Sequence, residues 1–284
     1  MVTTWTLFKL FLFLIAFILF YSLLQFLVST HPPRYTDPTT PETLGLSYKP
    51  VSFTTTDNIL IKGWLIHSPK AKGTIIIGHG YPFDKGNILQ VVTFLYPAYN
   101  LLLYDHRYFG ESEGKITTVG IRETKDVQAA VQFVQEQYGK KHAISLYGFS
   151  LSAAAMLMSE TQVKAIIADS PYANLDYMIN HIYFYFGPFK YPFVKLTEFY
   201  TKLFLGTNIN KQSPVVAVQN TTIPILLIHG EQDTQIPVEN AYALKKSNPA
   251  IELWIVPKAD HGQAYALHKK QYEQRITDFL KKHM

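Results

Sequence analysis

The chain has 284 residues, 48% of them apolar, with a formal net charge of +5 and no cysteine. That length and apolar content suffice for one large α/β domain with a sizeable core. Without cysteine, disulfides, thiolate nucleophiles and cysteine-based zinc sites are excluded. The basic residues are scattered, with a small cluster at Lys281 and Lys282, and no basic stripe with interleaved aromatics is present, so nucleic acid is not an expected partner. H-E-x-x-H, a Walker A loop and a G-x-G-x-x-G following a strand are all missing, so neither a metal nor an organic cofactor is expected.

The first element is apolar. Residues 10–30, LFLFLIAFILFYSLLQFLVST, carry no charged side chain. About 20 such residues cross a bilayer as a helix. Trp5 and Tyr35 flank the run as interfacial aromatics do. Leu27, Val28, Ser29 and Thr30 make a poor cleavage site for a signal peptide, so residues 1–30 are read as an uncleaved transmembrane anchor. Lys9 precedes the span and Arg34 and Lys49 follow it, a weak bias. The expected orientation is a cytoplasmic N-terminus with the large domain on the outer or lumenal side.

Residues 31–50 form the expected linker. Pro32, Pro33, Pro38, Pro41 and Pro50 disfavour a helix and favour an extended tether. The folded domain is expected from Val51 to the C-terminus. NILIKGWLIH alternates as a half-buried strand does. GTIIIG, NLLLYD, AISLYG, VKAIIAD and IPILLIHG are short apolar runs, as strands covered on both faces should be, and IELWIVP is a weaker example. Between them IRETKDVQAAVQFVQEQYG reads as a helix. It puts Val127, Ala130, Val131 and Val134 on one face, with Gly139 as its stop. Strands alternating with helices predict a mostly parallel central sheet with helices on both faces. One long connection, about residues 172–222, is rich in Tyr and Phe and reads as an inserted helical cap. Most of its aromatics are expected in the cap's own core, with a minority lining an apolar pocket or touching a membrane. NTT at Asn220 is a formal glycosylation acceptor.

Ligands of an open parallel sheet meet the carboxyl ends of its strands. The turns there read GHGYPF, DHRYFGESEG, GFSLS, HGEQD and KADHGQAY. In type and order they resemble those of the α/β-hydrolase superfamily, in its serine aminopeptidase-like or esterase/lipase-like branch. The resemblance covers the chain from Val51 onward. Its order of nucleophile, acid and base implies Ser150, Asp233 and His261. Ser150 would attack, His261 would take its proton, and Asp233 would hold the imidazole tautomer. The implied oxyanion donors are the backbone N–H groups of Tyr81 and Leu151, because Pro82 has none.

Two positions depart from the family pattern. Ser152 replaces the second glycine of G-x-S-x-G, for which some crowding of helix on strand is expected. Tyr108 replaces the first glycine of D-x-R-G-x-G, for which an altered cap-side shape is expected. Asp169 is the reserve acid and His268 the reserve base. Asp105 also sits at a strand end, His79 and His229 are read as structural, and His106 is read as a turn residue. The implied function is a membrane-anchored serine hydrolase acting on a small-molecule or lipid ester. A peptidase or thioesterase on the same scaffold, and a non-catalytic binding module, are the alternatives.

Overall fold

The computed structural model describes residues 3–206 and 212–284. It opens on helix α1, Thr4–Thr30, capped by the Thr3 hydroxyl. An 18-residue window of α1 has a mean hydropathy of 2.6, and only 11% of that window is buried, so the helix is long and apolar enough to cross a membrane. Residues 31–48 contain one short 3-10 turn, Glu42–Leu44, and lie against the domain.

The sheet comprises β1 (Lys49–Thr54), β2 (Leu60–Ile66), β3 (Thr74–Gly78), β4 (Asn100–Tyr104), β5 (Ile144–Phe149), β6 (Ile166–Asp169), β7 (Ile225–Gly230) and β8 (Glu252–Val256). Their order is β1-β2-β4-β3-β5-β6-β7-β8. β2 pairs antiparallel with β1 and β4, and every other pairing is parallel.

Alternation along the buried strands feeds two cores. Ile76, Leu102, Leu146 and Leu227 face one side, where α3 (Glu123–Tyr138), α4 (Leu151–Met158) and α8 (Glu239–Ser247) pack. Ile75, Ile77, Leu103 and Ile228 face the other, against α2 (Lys85–Val92) and α9 (Ala264–His283). The expected face of α3 is the buried one. Gly139 ends that helix at φ 90° and donates its N–H to the Gln135 carbonyl.

The insertion after β6 carries α5 (Leu175–Ile182), a 3-10 stretch Phe184–Lys190, α6 (Tyr191–Leu205) and the short α7 (Pro214–Ala217). Residues 207–211, part of the expected cap, lie outside the described residues. The expectation of a mainly buried set of cap aromatics is overturned. Tyr172, Tyr183 and Phe193 are buried, but Phe184, Tyr185, Phe189, Tyr191, Phe199 and Phe204 are exposed, Tyr185 at 85%. The insertion is too thin to cover them. α6 instead gives one face to α1, with Phe17 and Tyr21 edge-on to Phe193 at 6.1 and 5.8 Å. Phe26 meets Phe204 at 5.6 Å.

Candidate active site

β5 runs into α4 through one residue, Ser150, at φ 54° and ψ −110°. A side chain other than glycine rarely occupies that region, and the surroundings must enforce it. The Ser150 N–H donates to the Asp169 carbonyl at 2.8 Å, and the Ser150 carbonyl accepts from Ala154 at 3.1 Å. Gly148 makes the turn feasible, since a Cβ there would sit 2.6 Å from the Ala153 nitrogen.

The loop after β7 brings Asp233 and the loop after β8 brings His261 to this serine. His261 Nε2 lies 3.0 Å from Ser150 Oγ, and His261 Nδ1 lies 2.7 Å from Asp233 Oδ2. Asp233 Oδ1 accepts the N–H groups of Gln235 at 3.0 Å and Ile236 at 2.7 Å, which fixes the carboxylate plane. The two loops are joined by Asp260. Its Oδ1 accepts from the Thr234 N–H at 2.8 Å and from the His261 N–H at 2.7 Å. This clasp was not anticipated, although Asp-His adjacency in KADHG was its visible trace.

The loop after β3 passes beside the serine. A Cβ on Gly80 would lie 3.5 Å from Ser150 Cβ and overlap the Phe149 ring. Among the described residues, neither the Tyr81 nor the Leu151 backbone N–H donates to another protein group. Two neighbouring N–H groups without protein acceptors can hold an oxyanion. The Tyr81 hydroxyl reaches back to the Val28 carbonyl of α1 at 3.4 Å.

The two departures from the family pattern have definite places. Ser152 is fully buried, and its hydroxyl donates to the His79 carbonyl and lies 2.7 Å from His106 Nε2. It fits because Gly78 opposite has no Cβ, so the hydroxyl ties the elbow to the β3 loop. Tyr108 adopts φ 75° and donates its hydroxyl to the Pro32 carbonyl at 2.6 Å, so it pins the segment after α1.

The reserve residues lie elsewhere. His268 is half-buried, with Nε2 3.3 Å from the Pro257 carbonyl. His79 donates Nδ1–H to Gly80 and accepts the His106 N–H at Nε2, and burial pushes its pKa down to about 4. His106 sits 3.2 Å from Asp126, and Asp105 accepts from Lys85 and the Glu111 N–H. His229 lies 2.7 Å from the Ile236 carbonyl and 3.5 Å from Asp233 Oδ2.

Among the described residues, Asp169 makes no hydrogen bond to His261. It accepts from the Tyr272 hydroxyl at 2.6 Å and from Ser170 at 3.0 Å, and burial pushes its carboxyl up to about 6. The unfolded carboxyl titrates near ~4. Its contribution to stability is therefore full below that value and is lost as pH rises through about 6. His79 works the other way, since its folded value is depressed and its contribution fades as pH falls toward about 4. The expected result is a difference that changes with pH. Between pH ~4 and ~7, Asp169→Asn should gain on the wild type by up to about 3 kcal/mol in urea unfolding. A pH-independent difference would refute the assignment.

A mostly parallel sheet of this order, carrying a serine on a strand–helix elbow, is the α/β-hydrolase fold. The chain belongs to the prolyl oligopeptidase family, whose model matches residues 115–284. It is similar to the Pyrococcus furiosus esterase Pf2001, at 31% identity and a TM-score of 0.75, over 90% of this chain and 98% of that one. YqkD of Bacillus subtilis is 28% identical over 229 residues, 78% of this chain and 75% of its own length. A yeast membrane protein, YNL320W of Saccharomyces cerevisiae, is 20% identical over 85% of this chain and 82% of its own.

Proposed function

We propose that this chain is a membrane-anchored serine hydrolase that cleaves carboxylic esters with apolar acyl groups. One observation carries the reading. Ser150 Oγ and His261 Nε2, 3.0 Å apart, border a cavity of about 230 Å³ whose described lining includes no Asp, Glu, Lys or Arg. Leu175, Ile179, Ile182 and Leu205 supply much of that lining. A peptide terminus or charged side chain would find no counter-charge there, which favours an ester over the family's namesake peptide substrates. The similarity to an esterase points the same way.

In the proposed reaction, His261 Nε2 takes the Ser150 proton as the oxygen attacks the acyl carbon. Asp233 accepts the Nδ1–H and stabilises the imidazolium. The Tyr81 and Leu151 N–H groups donate to the developing oxyanion. Collapse expels the alcohol with the proton from His261 and leaves the acyl group on Ser150. Water, deprotonated by His261, then releases the acid. No cofactor takes part. The anchor is α1, with the catalytic domain on the outer or lumenal face.

The test is labelling of the full-length protein in detergent by a fluorophosphonate probe. Wild type should label, and Ser150→Ala and His261→Ala should not. An unlabelled, well-folded wild type would remove the activated serine and leave a non-catalytic binding module in its place.

A further inference from the structure

Helix α1 does more than leave the domain. The only polar side chains within its apolar run of residues 10–29 are Tyr21, Ser22, Gln25 and Ser29. Ser22, Gln25 and Ser29 are spaced so that they share one helix face. Ser22 is fully buried, and Gln25 and Ser29 line the cavity beside Ser150, together with Phe26 and Thr30. Polar groups in a membrane helix face protein or a cavity. Here Gln25 and Ser29 face the cavity beside Ser150, while the Ser22 hydroxyl donates back to the Ile18 carbonyl and Tyr21 packs on Phe186 and Phe193 of the cap.

The docking constrains depth in a bilayer. Contacts with α6 run from Phe17 to Phe26, including the Tyr200 hydroxyl on the Leu19 carbonyl at 3.4 Å. Residues 4–16, ahead of those contacts, are about 20 Å long at 1.5 Å per residue. The hydrocarbon core is roughly 30 Å thick. If α1 spans it, the docked half must also enter, and α6 enters beside it. The exposed rings of the cap, Tyr185, Phe189, Tyr191, Phe199 and Phe204, then meet the headgroup–acyl boundary instead of water. Phe204 and Phe186 join that surface to α1 through Phe26 and Tyr21.

We propose that the last two turns of α1 form a wall of the acyl cavity, and that the substrate is a neutral long-chain acyl ester resident in the bilayer. This rests on the Ser150 reading above. Its acyl chain lies against Phe26 and Ser29, and its ester carbonyl reaches Ser150 without passing through bulk water. An uncharged apolar lining suits such a chain, and the cap rings hold the domain at the depth where its ester group lies.

The experiment uses the full chain in phosphatidylcholine vesicles with two fluorogenic substrates, a soluble butyrate ester and a palmitate ester embedded in the vesicles. Wild type should hydrolyse both. Ser29→Trp, which fills the α1 wall, should lower the ratio of palmitate to butyrate turnover by about tenfold. Tyr185→Ser combined with Phe189→Ser, on the cap surface, should lower the same ratio by about as much through weaker bilayer contact. This second variant keeps the test decisive should Ser29→Trp fail to fold. A wild type that turns over butyrate but not palmitate would overturn the proposal and leave the Ser150 reading standing. So would ratios unchanged in both variants, or a dimer in detergent that dissociates in the cap variant with the ratio intact. Turnover of neither ester would remove both.

Discussion

Asp233→Asn is expected to lower kcat on a soluble ester by about 10⁴ with the fold intact. The carboxylate does three things at once. It accepts from His261 Nδ1 at 2.7 Å through one oxygen and from two backbone N–H groups through the other. The amide oxygen can keep the backbone pair, because Gln235 and Ile236 are donors. The amide nitrogen then faces His261 and donates, which forces Nδ1 to be the acceptor. Nε2 then carries the hydrogen and cannot receive the Ser150 proton. The measurement is kcat and KM for a butyrate ester, with circular dichroism as the check on folding. A kcat within tenfold of wild type would show that Asp233 does not set the tautomer.

Arg107→Ala is expected to cost about 3–5 kcal/mol of stability, read as a shift of the urea midpoint. Arg107 lies between two carboxylates. Its Nε and one terminal nitrogen donate to Asp126 at 2.9 and 2.8 Å, and both terminal nitrogens donate to Asp57 at 2.8 and 3.0 Å. The guanidinium holds the Asp57 carboxyl well below its usual range. The Asp126 side chain is fully buried and also meets His106, so removing the cation strands a charge in the interior. Lys cannot reproduce the fork, and Arg107→Lys should recover only part of the loss. A shift below about 1 kcal/mol would place this ion cluster with ordinary surface pairs. The cluster lies under the β3 and β4 loops, and through His106 and Ser152 it bears on the elbow, so lost activity should accompany lost stability.

Local pattern was enough for β3 to β7, because each is apolar on both faces and has a glycine or an aspartate at or beside its end, whereas β8, with Glu252 exposed and Pro257 after it, is the weaker case. GTIIIG and IPILLIHG needed no context to be read. The elbow was readable for the same reason. Gly148 and Ser150 are neighbours in sequence, and the strain falls on one residue. The loops bearing Asp233 and His261 were readable only through their order in the chain, since nothing local in HGEQD or KADHG says that they meet. The cap misled because hydrophobic character does not say what covers it. Its rings are as aromatic as a core, yet the insertion has too few layers to bury them. The Arg107 cluster joins residues 57, 107 and 126, a long-range arrangement with no periodic signature. The polar stripe of α1 was present in the letters but was hidden by their average hydropathy.

The docking of α1 on α6 has a consequence for the life of the molecule after synthesis. If α1 is the proposed anchor, a protease cutting near His31 would release the domain, and it would also take away Gln25, Phe26, Ser29 and Thr30 from beside Ser150. The Tyr81 hydroxyl and the Thr117 N–H would lose their acceptors at Val28 and Thr30 in the same event. Cleavage there would therefore yield a domain with an altered cavity rather than a mobile copy of the intact chain. Over evolutionary time the same linkage binds address to chemistry. On the proposed anchoring, a helix re-cut for a thicker or thinner bilayer would also re-cut the wall beside Ser150, so the two properties would be inherited together.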